Sequence, residues 1–254
     1  MIWFYALSAF GIFVTVYFRL YLFAVPKNRL TILMYHQIEK DSTEELTISP
    51  ENLEKQFSYL RQNHFTSIFF SEINKTCRKK IIITFDDGYE NNAQYLPPLL
   101  EKYNLKATIF ISTKFIQQGY KSYKMMTFED IRNLDKNKFE IALHSHIHDN
   151  FKNSSLDFIE NDLKENMNIL DKERIPYSKV LAYPYGGYPK NHQKKTDMFL
   201  LLKDLGLEFA VRIGNKINYF PTKKPYELCR IDIKGNESLL KFKLKLIFGK
   251  LKLF

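Results

Sequence analysis

The run Ile81-Ile82-Ile83, continuing into Thr84-Phe85-Asp86-Asp87-Gly88, constrains this chain more than any other stretch. Its apolar part reads as a strand, and the strand ends on two adjacent carboxylates. Successive side chains of an extended chain point in opposite directions, so one carboxylate can bind a cation while its neighbour stays free to take a proton. A later run, His144-Ser145-His146-Ile147-His148, supplies the nitrogen ligands that two carboxylates lack. The two runs belong together only in a fold that brings strand ends to a common rim.

The rest of the chain has the rhythm of such a fold. Strand-like segments run from Leu30 to Tyr35, Ser67 to Phe70, Lys80 to Phe85, Ala107 to Ile111, Phe139 to Leu143, Lys179 to Tyr183 and Glu208 to Ile213. Helical spacing runs from Pro50 to Asn63, Asn91 to Lys102, Thr127 to Leu134, Ser155 to Glu173 and Lys194 to Leu205, several behind a capping Ser, Thr or Asn. Strands alternating with crossover helices predict an α/β fold, an incomplete (β/α) barrel of about seven strands with its chemistry at their carboxyl ends. His36, Asp86-Asp87, His144-His148 and the turn Tyr183-Pro184-Tyr185-Gly186-Gly187 all fall at such ends.

With 254 residues the chain is long enough for one such domain and short for two. Residues 1–25 read as an N-terminal transmembrane anchor, 26–238 as the catalytic domain and 239–254 as a basic, apolar tail. Ile2 to Phe18 is apolar, aromatic or small throughout, and the apolar character resumes after Arg19 to Val25. It lacks a basic start and a small-residue cleavage pair, so it reads as an uncleaved single-pass anchor. Arg19, Lys27 and Arg29 follow the span and argue for a cytoplasmic domain. The tail's Lys241-Phe242-Lys243-Leu244-Lys245-Leu246 suits a membrane-surface helix, an edge strand or a disordered end. A formal net charge of +10 favours anionic lipid or polyanionic partners, yet no nucleic-acid module is recognisable. Cys77 and Cys229 have no partners at metal spacing and read as ordinary thiols.

His144 and His148, four apart, share a face if the chain turns helically after its strand, with His146 projecting away. Two imidazoles and one carboxylate, with positions left for water, are what a catalytic divalent ion needs.

These motifs resemble the polysaccharide deacetylases of the NodB-homology type, carbohydrate esterase family four, over roughly Leu30 to Lys234. The resemblance implies a distorted (β/α) barrel of seven strands. It makes Asp86 the general base and Asp87, His144 and His148 the ligands of one divalent ion, zinc first, with cobalt or nickel as alternatives. The family's third motif, Arg-x-Pro-Tyr/Phe-Gly, stands here as Ala182-Tyr183-Pro184-Tyr185-Gly186, so the arginine that orients the base is missing. Arg230, in Leu228-Cys229-Arg230-Ile231, resembles a Leu-Pro-Arg segment of the poly-N-acetylglucosamine de-N-acetylase subgroup and is the candidate replacement. The family's late Leu-x-His is also absent. His36, at the end of Leu33-Met34-Tyr35, resembles a Tyr-His of the subgroup and is the candidate acid, reached by circular permutation of the barrel.

By the same resemblance the reaction is removal of N-acetyl groups from N-acetylhexosamine units of a bacterial surface polysaccharide or its precursor, with the Tyr185 N–H as oxyanion donor. Tyr183, Tyr185 and Tyr188 are candidates for stacking on sugar faces. The implied partners are an N-acetylated glycan or lipid-linked sugar and the membrane; no obligate protein partner is inferred. Family resemblance places the domain outside the cytoplasm, against the charge bias. A membrane-tethered carbohydrate-binding pseudoenzyme and an O-acetyl esterase of the same fold are the alternatives.

Overall fold

The computed structural model describes residues 2–17 and 28–250. In chain order its strands are β1 (Arg29–Tyr35), β2 (Gln37–Ile38), β3 (Thr47–Ile48), β4 (Thr66–Ser67), β5 (Lys80–Phe85), β6 (Ala107–Ile111), β7 (Phe139–Leu143), β8 (Val180–Ala182), β9 (Phe209–Ile213), β10 (Asn218–Tyr219) and β11 (Leu228–Asp232). The helices are α1 (Ile2–Tyr17), α2 (Pro50–Gln62), α3 (Glu90–Tyr103), α4 (Thr113–Gln118), α5 (Phe128–Asn133), α6 (Leu156–Lys172), α7 (His192–Asp204) and α8 (Leu239–Phe248).

Parallel pairings run β5-β6-β7-β8-β9-β11-β1 and return from β1 to β5, so seven strands close a barrel. The expected strand number therefore holds, but its membership does not. Ser67 to Phe70 was expected to be a barrel strand; it pairs with β5 only through Thr66 and Ser67, then turns into a 3-10 segment at Phe70–Glu72. The buried Glu140 carboxylate accepts the N–H of Phe70 at 3.0 Å and of Ser71 at 3.1 Å, which pulls that chain across the barrel floor. The seventh strand is β11. The barrel is also uneven: β1 and β5 share six register pairs, β7 and β8 only Leu143↔Leu181.

Strand parity divides the interior in two. Leu30, Ile32, Ile82, Phe110, Ala142, Val180, Ala182, Val211 and Leu228 point into the barrel, where Ile68, Phe70 and Ile73 plug the floor. The alternate residues, among them Leu33, Ile83, Ile109, Leu143 and Leu181, face the helices. A barrel interior this narrow is a packed core, so its upper layer is left for the site.

The tail expected from residue 239 is part of this body through residue 248. Phe242 and Leu246 of α8 are buried, with Phe242 edge-on to Tyr59 of α2 at 6.3 Å, and Arg29 donates to the carbonyls of Leu246 and Ile247. The apolar residues that suggested a lipid-facing tail are those that seat α8 on the domain, because the side chains three and four apart on a helix share one face. Residues 251–254 lie outside the described residues.

α1 covers 16 residues, about 24 Å at 1.5 Å per residue, against the roughly 30 Å of a bilayer core. Among the described residues no helix is long and apolar enough to cross a membrane. The remainder of the expected anchor falls in residues 18–27, outside the described residues. Leu7, Phe10, Ile12 and Phe13 of α1 are exposed.

Candidate active site

Asp87, His144 and His148 converge above the interior layer, with every ligating atom within 4.8 Å of the others. Asp87 Oδ1 lies 3.4 Å from His144 Nε2 and 3.3 Å from His148 Nε2, and the two Nε2 atoms are 3.1 Å apart. Ligands at about 2.1 Å from one ion sit roughly 3.0 to 3.4 Å from each other, for octahedral and tetrahedral edges respectively, so the triad has the span of a metal site without choosing the metal. Two further observations support the fit. The His144 Nδ1–H donates to the Ala182 carbonyl at 2.8 Å, which leaves its Nε2 lone pair facing the other ligands. Asp87 Oδ1 is buried and accepts no hydrogen bond.

The histidines do not meet on a helix, as their spacing suggested. Residues 144–148 are irregular, with Ser145 at φ 66° and His148 at φ 67°. Ser145 Oγ accepts the His148 N–H at 2.9 Å, and Asp162 of α6 accepts the N–H groups of His146 and Ile147 at 3.0 and 2.7 Å. Left-handed backbone of this kind costs about 1–3 kcal/mol per residue and persists where its surroundings enforce it. Asp87 (φ 75°) and Tyr185 (φ 57°) are held the same way beside the same site.

Asp86 turns from the triad to a partner of its own. Arg230, 1% exposed, donates Nη1 to Oδ1 at 2.5 Å and Nη2 to Oδ2 at 2.7 Å, and its Nη1 also reaches Thr84 Oγ1 at 3.2 Å. The guanidinium lies 5.4 Å from the ring centre of Phe110 below it. Burial alone would raise the Asp86 pKa; the charges of Arg230 and His144 and the hydrogen bonds from Arg230 outweigh it and hold the carboxyl below its usual range. His36 Nε2 stands 3.9 Å from Asp86 Oδ2. Arg230 thus reaches Asp86 from β11, two strands round the barrel from the Ala182 position on β8 where the resemblance lacks an arginine.

The polysaccharide deacetylase family model matches residues 73–209. The chain belongs to that family. It is 24% identical over 247 residues to the poly-beta-1,6-N-acetyl-D-glucosamine N-deacetylase of Staphylococcus aureus (strain N315), covering 85% of this chain and 83% of that protein. It is 27% identical over 176 residues to YxkH of Bacillus subtilis, a protein placed in the same family, with 66% of this chain matching 61% of YxkH, under two thirds of its length. Among solved structures, the Streptococcus pyogenes deacetylase PplD in complex with acetate superposes with a TM-score of 0.75 at 21% identity, over 87% of this chain and 99% of that one. IcaB from Ammonifex degensii gives 0.73 at 19% identity, over 86% and 96%.

A cavity of about 230 Å³ opens above the two carboxylates, lined by His36, His144, His148, Tyr185 and Arg230 among others. Of the three tyrosines expected to stack on sugar, only Tyr185 is exposed, its ring 4.9 Å from that of His148. Tyr183 and Tyr188 are buried, their rings tilted against each other at 5.1 Å, with hydroxyls donating to Tyr226 O and Glu227 Oε1. Tyr120 and Tyr123 also line the cavity and were not singled out from the sequence. His146 faces away, its Nδ1 paired with Thr113 Oγ1 at 2.9 Å. His64 and His192 are exposed, away from the site.

Sequence reasoning also missed Asp162. Its signal was present: Asp162 and Asn166 interrupt the apolar stripe Ile159, Leu163, Met167, Leu170 of α6, and a polar residue on a buried face needs a partner. Burial holds the Asp162 pKa above the usual carboxylate range despite its N–H donors.

Proposed function

We propose that this protein is a metal-dependent hydrolase that removes N-acetyl groups from N-acetylhexosamine units of a bacterial surface polysaccharide or its precursor. The single observation that carries the reading is the division of labour between adjacent carboxylates, Asp87 joined to two histidines and Asp86 to an arginine. Binding of a neutral sugar needs neither arrangement. Similarity to the poly-N-acetylglucosamine N-deacetylase of S. aureus makes N-acetylglucosamine the first sugar to try.

Asp87, His144 and His148 would hold the divalent ion. When bound there, such an ion supplies Lewis acidity to water and to an acetamide carbonyl. Asp86, held ionised by Arg230, takes the proton of the attacking water; each carboxylate oxygen keeps a lone pair beyond its bond to the guanidinium. The Tyr185 N–H donates to the developing oxyanion, and the left-handed turn at that residue aims it. His36 then protonates the departing amine, a poor leaving group without a proton. Atoms balance as acetate and a free hexosamine amine.

α1 and the apolar residues that follow it anchor the chain in a membrane in this reading. The test is acetate release from N-acetylglucosamine oligomers by the full chain, with and without chelator, beside Asp86→Asn. Chelator-sensitive release that disappears in Asp86→Asn is the expected result. Sugar binding with no acetate release from N- or O-acetylated glycans would overturn it in favour of a binding protein.

A further inference from the structure

The end of the barrel opposite the site has a character of its own. Lys79, Lys106, Lys138 and Lys179 each stand immediately before a barrel strand, β5, β6, β7 and β8 in turn, so four successive connections bring a lysine to the amino-terminal face. Lys106 and Lys138 are matched by Glu72 and Glu101. Among the described residues the side chain of Lys179 meets only the Tyr177 hydroxyl and ring, and no side-chain hydrogen bond or ion pair is made by Lys136 or Arg174. On this face lies a cavity of about 490 Å³, its apolar part including Ile131, Leu134, Ile175 and Pro176, with Lys136, Arg174, the Glu173-paired Arg132 and the buried Glu140 on its lining. The catalytic rim mixes both signs: Glu39, Asp41, Glu44 and Glu45 lie between β2 and β3, while Lys121 and Lys152 stand on the loops after β6 and β7.

Topology adds a direction. The chain from α1 enters the barrel at Arg29, the start of β1, and β1 is parallel to β5, so the entry point is on the lysine-bearing face. An apolar trough with Lys136, Arg174 and Lys179 at its margin and its third lining cation, Arg132, held by Glu173 complements an anionic amphiphile, and the apolar helix that would hold one is tethered to the same end.

We infer that the amino-terminal end of the barrel is a docking face for an anionic bilayer, which sets the catalytic rim away from the membrane that holds α1. The inference rests on the membrane-anchor part of the proposed function, not on the chemistry of the site. Headgroup phosphates meet Lys136, Arg174 and Lys179, and the trough receives the apolar edge of the lipid. An anchored enzyme oriented in this way works on glycan that lies off the membrane plane instead of on the sugar next to the headgroups.

The test is a lysine-acylation footprint of the full chain in nanodiscs, read by mass spectrometry. Lys136 and Lys179 lose labelling several-fold in discs containing phosphatidylglycerol relative to phosphatidylcholine discs, while the rim lysines Lys121 and Lys152 label equally in both. All four are exposed in the structure. The protection disappears in about 1 M salt, where charge interactions are screened within about 3 Å. Protection of Lys179 also disappears in Lys136→Glu with Arg174→Glu, which stays in the disc through α1. Protection of Lys121 and Lys152, or identical footprints in the two discs, overturns the docking face. Equal protection by soluble polyphosphate without lipid overturns it in favour of a polyanionic partner. A chain that never enters phosphatidylcholine discs breaks the anchor reading instead, and the acetate assay, independent of both, reports on the site.

Discussion

The two halves of the site differ in where their positive charge comes from. Asp86 has its cation built in, Arg230, clamped to both carboxylate oxygens. Asp87, its neighbour in sequence, has none: its buried Oδ1 accepts nothing and faces two imidazole nitrogens. In the proposed reading, two buried carboxylates one residue apart thus meet the same desolvation problem in different ways, one with a charge from within the chain and one with an ion from solution. The chain-supplied charge keeps a base in place through every turnover. A charge drawn from solution leaves coordination positions for water and substrate.

The comparison breaks most visibly at the metal half. Asp87→Ala or His148→Ala is expected to abolish metal uptake by elemental analysis and to lower acetate release by at least about a thousandfold, because the Lewis acid is worth several kcal/mol at the transition state. Activity that survives with no metal bound would collapse the distinction drawn above.

The arginine half should break as a stability defect first. Arg230→Met leaves Asp86 ionised, buried and unpaired, and is expected to cost about 3–5 kcal/mol in denaturant unfolding. Asp86→Asn with Arg230→Met should recover part of that loss, since the uncompensated charge is gone. If the double variant is no more stable than Arg230→Met, the ion pair is not what Arg230 contributes. Asp86→Asn alone should retain metal while losing about a hundredfold to ten-thousandfold in turnover, and His36→Ala about a hundredfold with metal again retained. Metal loss in Asp86→Asn would mean that the carboxylates share one role.

The same contrast explains what could be read in advance. β5, β6 and β7 have the bounds their apolar runs suggested, because both faces of a barrel strand are buried and the hydropathy is continuous. β11 did not show itself. Leu228-Cys229-Arg230-Ile231-Asp232 places a guanidinium and a carboxylate on the inward face, a pattern that reads as an exposed loop unless the partner of the arginine is known. That partner, Asp86, is supplied by another strand at a separation of 144 residues. Asp87, His144 and His148 were legible because each stands in a compact motif at a strand end. The turn that joins the two histidines was not, since Asp162 shapes it from α6 through backbone N–H groups that leave no mark in side-chain spacing.

Acidification should separate the halves by sign. Burial lowers the His144 pKa, but the neighbouring carboxylate charges of Asp86 and Asp87 more than offset it, so the imidazole stands above its usual 6.5 in the metal-free site. A protonated imidazole cannot ligate. Metal affinity therefore falls as pH drops through that raised value, by about tenfold per unit below it, while Asp87 stays ionised because its own pKa lies well below 3.8. Asp86 is also held below 3.8, so the base keeps its charge over the same interval. Turnover lost between neutral pH and about pH 5 should then return on adding excess metal, and competition titration with a chromogenic chelator should show the tenfold slope. A pH-independent affinity would remove His144 as a ligand. Turnover that stays lost at saturating metal would place the cause in the proton-handling half of the site and not in the ligand triad.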